Sequence, residues 1–395
     1  MAVATLEGTT QPPLEVEVPH ERFGKYRIIR RLASGGMAHI FLASLDGPDG
    51  FSKTFVIKRI LPEYASVDDF AKMFVNEAKV AALLSHPSIV QVYEFGKIDE
   101  QYFLAMEYVD GASLDRVMRR AVKANVPLGP RAAIHVGIPL AEALNYAHTI
   151  QLADGTPLSL VHRDVTPGNV LLSRSGLVKL TDFGVVKSSV NVDATVAGVV
   201  KGKYSYMSPE QAAGGKVDPR SDLFSAGVVL YELATGRRLF KRDSIAATVT
   251  AVSHGLIPRP SQFIAGFPVG FERILLKMLS RDPADRYQSA RELLADLENY
   301  RAKQNWTSTG RELSGLMSAL FPENGPDHTG VGPAWPGTAS GQTDSALTGD
   351  APEDPLPSID VVEAESAAGG LEPWVLAAVI AAVGVGTGLF WYLVG

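Results

Sequence analysis

The sequence predicts an α+β chain of two unequal lobes: a small antiparallel sheet carrying one helix, then a larger and mainly helical part. Short β-branched and aromatic runs fill residues 26–108 and are interrupted by a single segment of helical period. After Gly111 helical spacing dominates. The 395 residues suffice for one unit of roughly 250 to 300 residues plus appendages, because single cores rarely grow larger.

The runs YRIIRRLA, HIFLAS and KTFVIKRI, broken by Gly, Asp and Ser, read as strands joined by hairpins. DDFAKMFVNEAKVAALLS then sets Phe70, Met73, Phe74, Ala78, Ala81 and Leu84 at helical spacing. IVQVYEFGKI and QYFLAMEYV return to strands around a turn at Asp99 and Glu100. Helices are expected around 113–124, 130–150, 221–236, 269–280 and 289–302, with Pro139 bending the second. A short amphipathic helix at 309–320 has Thr309 and Glu312 at capping-box spacing, with Leu313, Leu316, Met317 and Leu320 on the face it would dock on the large lobe.

Composition narrows the chemistry. There is no cysteine, which excludes disulfides, thiol catalysis and the usual zinc sites, and eight scattered histidines offer no metal spacing. All 37 Lys and Arg lie at or before Arg311, and eleven of the 43 acids lie beyond it. The first 311 residues therefore net +5, too dilute a charge for a nucleic-acid surface, so no nucleic-acid partner is expected. Residues 1–25 lack the basic start and apolar run of a secretory signal and read as a flexible segment. Residues 322–373, acidic and rich in Pro, Gly and Ala, read as a tether. Residues 374–394 carry no charge and can span about 30 Å of hydrocarbon, with Trp374, Trp391 and Tyr392 at the ends.

Three strings carry the chemistry: VHRDVTPGN at 161–169, TDFG at 181–184 and YMSPE at 206–210. Together with VIK ending at Lys58, a helical Glu77, DLFSAG and DPADRYQS, they resemble the bacterial Hanks-type serine/threonine protein kinases, a resemblance that covers about 26–300 and carries a membrane anchor after it. The resemblance implies the two-lobed kinase fold, lobes at 26–108 and 111–303 within a domain of 26–303, followed by the helix at 304–321. It implies ATP with Mg²⁺, or Mn²⁺ in its place, and protein substrates; a homodimer for trans-autophosphorylation is the expectation raised by the small-residue face of the span at Gly384 and Gly388. Lys58, paired with Glu77, would hold the α and β phosphates; Asp164 would orient the acceptor hydroxyl; Asn169 and Asp182 would hold the metal. The nucleotide would lie among Leu32, Ala33, Ser34, Gly35, Gly36, Met37, Ala38, His39 and Ile40 on one side and Val56, Met106, Glu107, Val109 and Leu171 around the base. Arg163 implies control by activation-segment phosphorylation, Thr195 being the favoured hydroxyl. Glu210 and Arg286 would form a structural pair, and Asp222 and Gly227 would support the catalytic loop.

The sequence departs from the family pattern at three places. The glycine-rich loop keeps only its middle glycine in place, with Ala33 and Ala38 at the flanking positions, and Val56 replaces an alanine against the base. The lysine usual two residues after the catalytic Asp is Thr166, while the threonine usual before YMSPE is Lys203. The two residue types have exchanged places, and Lys203 is expected to return the missing ammonium to the γ-phosphate from the opposite side. A pseudokinase or nucleotide-binding scaffold is the competing reading, and a small-molecule phosphotransferase a third. Cytosolic ATP would place the kinase unit in the cytoplasm, with the C-terminus outside and Gly384 and Gly388 offering a dimerising face in the span.

Overall fold

The computed structural model describes residues 21–35, 38–61, 68–152, 154–183, 203–306 and 309–322; within 68–81 the side chains of Phe70, Met73 and Glu77, among others, are outside the description. The expectations placed on Gly36, Met37, Thr195, the tether and the span at 374–394 lie outside the described residues. Among the described residues no helix is long and apolar enough to cross a membrane.

Six antiparallel strands form the first sheet: β1 (Arg22–Phe23), β2 (Tyr26–Ser34), β3 (Ala38–Asp46), β4 (Ser52–Ile60), β5 (Val92–Ile98) and β6 (Gln101–Glu107), in the order β1-β2-β3-β4-β6-β5. The period of two divides its side chains between two cores. Phe23, Tyr26, Ile28, Phe41, Phe55, Ile57 and Phe103 pack on one face, with edge-on ring pairs such as Phe23 with Phe103 at 5.3 Å. Ala33, Ile40, Val56, Ile60, Leu104 and Met106 pack on the other, against Phe74 and Ala78 of α1 (Asp68–Ala81). Lys58 stands between Val56 and Ile60 in β4, so alternation puts it on this second face, toward the helix and the cleft.

Strand β1 corrects the boundary set at residue 25. Gly24 turns with φ +56°, Phe23 pairs with Tyr26, and the Phe23 ring fills the first core. Two residues are too few for any period to show in sequence.

The large lobe holds α2 (Leu114–Lys123), α3 (Gly129–Thr149), α4 (Pro209–Ala212), α5 (Pro219–Thr235), α6 (Ile245–His254), α7 (Val269–Met278) and α8 (Ala290–Lys303). Helices α3 and α5 are apolar nearly all round and form its buried centre, as such helices must. Helix α3 runs as one element through Pro139. Asp218 caps α5 by accepting from the Arg220 amide, and Gly236 ends it in the left-handed region at φ +66°. A second sheet, β7 (Gly111–Ser113), β8 (Val170–Ser173) and β9 (Val178–Leu180), was not expected from the sequence. It forms the floor of the cleft and brings Asn169 and Asp182 to its edge. The segment after α1 ties the lobes together: the Val90 amide donates to Leu180 O at 2.9 Å, and the Leu180 amide to Ser88 O at 2.8 Å.

A final helix, α9 (Thr309–Leu320), docks on the large lobe through Leu313, Met317 and Leu320, all nearly fully buried. The helix begins at Thr309, whose side chain, and with it the expected capping box, lies outside the description; Glu312 is engaged with Arg131 and His135.

Candidate active site

Strand β4 delivers Lys58 and the end of β9 delivers Asp182. Lys58 Nζ lies 3.0 Å from Asp182 Oδ1, a pair largely withdrawn from solvent. Glu77 lies on α1, on the second face of the sheet, with its side chain outside the description.

The loop before β8 is held from below. The Asp222 carboxylate accepts the backbone amides of His162 and Arg163, each at 2.8 Å, and His148 Nε2 lies 2.8 Å from Asp222 Oδ2. His162, fully buried, reaches Thr181 O at 3.0 Å. Arg163 takes φ +66° there, a conformation that a non-glycine residue adopts only when its surroundings fix it. At Gly227 a Cβ would stand 2.8 Å from Met278 Cβ, so glycine lets α5 approach α7 beneath this loop.

On this support Asn169 Nδ2 donates to Asp164 O at 2.7 Å and to Asp164 Oδ2 at 3.0 Å. Both partners are pure acceptors, which fixes the amide orientation and turns its oxygen the other way. Lys203 Nζ donates to the same Asp164 Oδ2 at 2.8 Å. Thr166 is buried beside them, 8% exposed, its backbone oxygen accepting from the Asn169 amide at 3.0 Å. Of the exchanged pair, Lys203 reaches the Asp164 carboxylate directly, while Thr166 is buried two residues along the same loop.

The turn after Lys203 sets the lysine in place. Tyr206 is buried and donates to Glu232 of α5 at 2.7 Å; Arg238 donates to Glu232 at 2.7 Å and pairs with the Tyr206 hydroxyl. Burial and the Glu232 charge push the Tyr206 hydroxyl well above the usual phenol range, keeping it a neutral donor. Residues Glu232 and Arg238 were missed in sequence, where only their separation by six positions hinted at a pair.

The residues expected around a nucleotide divide into two groups. Ala33, Ile40, Val56, Met106, Val109 and Leu171 form one apolar cluster with Leu32 packed on it, a cradle drawn from both lobes. Gly35 closes the hairpin by donating to Ala38 O at 2.9 Å, next to Ser34. His39 and Glu107 depart from the expectation. Alternation in β3 turns the His39 ring toward Phe41, 6.0 Å away on the opposite face. Glu107 gives its carboxylate to Lys179, 3.0 Å away in β9, and to the Gln91 amide. Lys179 was missed in sequence because a lysine inside a three-residue strand looks like a surface residue.

Among the described residues no three His, Cys, Asp or Glu side chains gather. Asn169 and Asp182 supply amide and carboxylate oxygens alone, an incomplete hard set that suits a cation completed by phosphate and water.

The sequence matches the family model described as "Protein kinase domain" over residues 26–297. The chain belongs to the protein kinase domain family. This kinase domain is 40% identical over 301 residues to "Tyrosine-protein kinase MasK" of Myxococcus xanthus, covering 76% of the chain and 47% of MasK. It is 34% identical over 278 residues to "Serine/threonine-protein kinase PrkC" of Bacillus subtilis, covering 70% of the chain and 40% of PrkC. It is 36% identical over 296 residues to PknL of Mycobacterium tuberculosis, covering 74% of the chain and 69% of PknL. The chain thus spans less than half the length of MasK and PrkC. Among solved structures, the PknI kinase domain of M. tuberculosis matches with TM-score 0.51 and 28% identity, over 71% of the chain and 97% of that crystallised domain. The small sheet and helical lobe are those of a protein kinase, a family that uses ATP and a divalent metal on protein substrates.

Proposed function

We propose that the protein is an ATP-dependent protein kinase that phosphorylates serine and threonine hydroxyls, with the ammonium beside the transferred phosphate supplied by Lys203. The observation that carries this reading is the convergence of Lys203, Asn169 and Asp164 at one oxygen, next to the Lys58 and Asp182 pair. Asp164 accepts a hydrogen bond from the incoming hydroxyl, orients it and takes its proton late in transfer. Lys203 brings positive charge to the same carboxylate where the catalytic loop has Thr166, and preorganised charge stabilises a transferring phosphoryl group wherever the chain supplies it from. Lys58 holds the nonreacting phosphates. Mg²⁺ held by Asn169 and Asp182 would neutralise developing charge on the phosphate oxygens. Ala33, Val56, Met106, Val109 and Leu171 enclose the base.

The test is transfer of label from γ-labelled ATP to a generic protein acceptor with Mg²⁺, followed by phosphoamino-acid analysis. Label on Ser and Thr is expected; label on Tyr alone would support a tyrosine-kinase reading, which the name of MasK favours, and absence of label would support a pseudokinase. Lys203→Ala is expected to lower kcat by about 10² to 10³ fold. Lys203 is 43% exposed in its pair with Asp164, and such pairs contribute little to stability, so the thermal midpoint should stay within a few degrees. A large fall in stability would assign Lys203 a structural role instead.

Residues 374–394 are proposed to anchor the kinase in the cell membrane as a single span with the kinase domain cytoplasmic, on the strength of their length and lack of charge. Deleting them should release the protein from carbonate-washed membranes into the soluble fraction; retention in the pellet would refute the anchor. Gly384 and Gly388 are proposed to pair two copies for trans-autophosphorylation, and loss of membrane cross-linking in Gly384→Leu is the expected result.

A further inference from the structure

Helix α9 lies beyond residue 297, where the family match ends, yet both of its ends hold the β8–β9 hairpin. At the first end, Gly176 turns the hairpin with φ +85°, and a Cβ there would run into the carbonyl oxygen of Gly310, so the two backbones touch. At the other end, Arg174 Nη1 donates to Phe321 O at 2.7 Å. The Phe321 ring in turn lies under the guanidinium groups of Arg116 and Arg120, 5.4 and 4.9 Å from its centroid. Glu312 fastens the first turn of the helix to Arg131 of α3.

The hairpin gripped in this way carries the two metal-ligand candidates at its open end. Asn169 immediately precedes β8, Asp182 follows β9 by two residues, and the Thr181 amide closes them together by donating to Asn169 O at 2.9 Å. Strands of four and three residues leave little length over which a displacement at Arg174 could be absorbed.

We infer that α9 and Phe321 form a brace that positions Asn169 and Asp182 through Arg174 and Gly176. The brace is therefore part of the working unit, and Arg174 is a positioning residue, touching neither phosphate nor metal. This inference rests on the reading that Asn169 and Asp182 hold the metal. Outer supports of metal ligands commonly change affinity by about 10 to 100 fold when removed.

The full-length chain is compared with Arg174→Met, Phe321→Ala, Arg174→Lys and a control, Leu275→Ala, that empties part of the large-lobe core in α7 away from the hairpin. Amide exchange at Val178–Leu180 is measured well below each midpoint, and the Mg²⁺ concentration giving half of the ATP-dependent thermal shift is read from each variant's own midpoint with and without ATP. Arg174→Met and Phe321→Ala should speed exchange in the hairpin and raise the Mg²⁺ requirement roughly tenfold. Arg174→Lys should recover part of both, and Leu275→Ala should change neither although its midpoint falls. Equal behaviour of Arg174→Met and Leu275→Ala would reduce the brace to ordinary stabilisation and overturn the inference. Should Arg174→Met fold poorly, Phe321→Ala decides on the same readouts. If the unaltered chain gives no Mg²⁺-dependent shift with ATP, the metal reading itself fails and takes the inference with it; a normal shift with unaltered exchange in both brace variants rejects the brace alone.

Discussion

Asp164→Asn is expected to lower kcat by roughly 10³ fold and leave ATP affinity within about threefold. The carboxylate is the group placed to accept a proton at the junction of Lys203 and Asn169, and an amide cannot take that proton. The nucleotide contacts proposed above lie elsewhere, in the Lys58 and Asp182 pair and the apolar cluster around Val56 and Met106. The fold should survive, because an asparagine oxygen can still accept from Lys203 and Asn169. Calorimetric ATP binding beside steady-state transfer to a protein acceptor separates the two effects. A variant that keeps more than a tenth of the parent kcat would remove Asp164 from the chemistry.

Arg286→Met should cost about 3 to 5 kcal/mol of stability, the range for removing one partner of a buried ion pair. The Arg286 side chain is fully buried and meets Glu210 through two bonds, of 2.8 and 2.9 Å, while also donating to Ser280 O, Arg281 O and Arg220 O. Its loss leaves the Glu210 carboxylate hydrogen-bonded to Ser221, 2.6 Å away, without the guanidinium that pairs it. Changing Glu210 to Leu in the same chain should recover part of the loss, since an unpaired buried charge costs more than an apolar replacement. Burial alone would raise the Glu210 carboxyl, but the Arg286 and Ser221 hydrogen bonds outweigh it and hold the group below its ordinary value. A depressed carboxyl stabilises the folded state above the unfolded value, about 4.3, and loses that contribution as pH falls through the folded one. The urea midpoint of the parent chain should therefore fall in acid more steeply than that of Arg286→Met.

What was legible in the sequence depended on how local each feature is. The catalytic loop compresses Asp164, Thr166 and Asn169 into six residues, so their mutual contacts were implied by spacing. Long amphipathic or apolar helices were placed to within one or two residues, as at Gly129–Thr149 and Ala290–Lys303. Strands β1, β7, β8 and β9 were missed because two to four residues cannot display a period. The faces of His39 and Glu107 depended on register and on Lys179, both nonlocal. The tie between Arg131 and Glu312 joins residues 181 apart, a contact that no window of sequence contains. The exchange of Thr166 and Lys203 was visible as a pair of departures, but the arrival of Lys203 at Asp164 Oδ2 depends on a turn anchored by Tyr206 on Glu232, far away in sequence.

Steady-state kcat of the double variant Thr166→Lys with Lys203→Thr, beside Lys203→Ala, tests the relocated ammonium most directly. The two changes return each residue type to the other segment, so a charge that acts by position should work from either side. The expected result is a Lys203→Ala enzyme slowed by about 10² to 10³ fold and a double variant within roughly tenfold of the parent. A Lys203→Ala enzyme as fast as the parent, or a double variant as slow as Lys203→Ala, would contradict it.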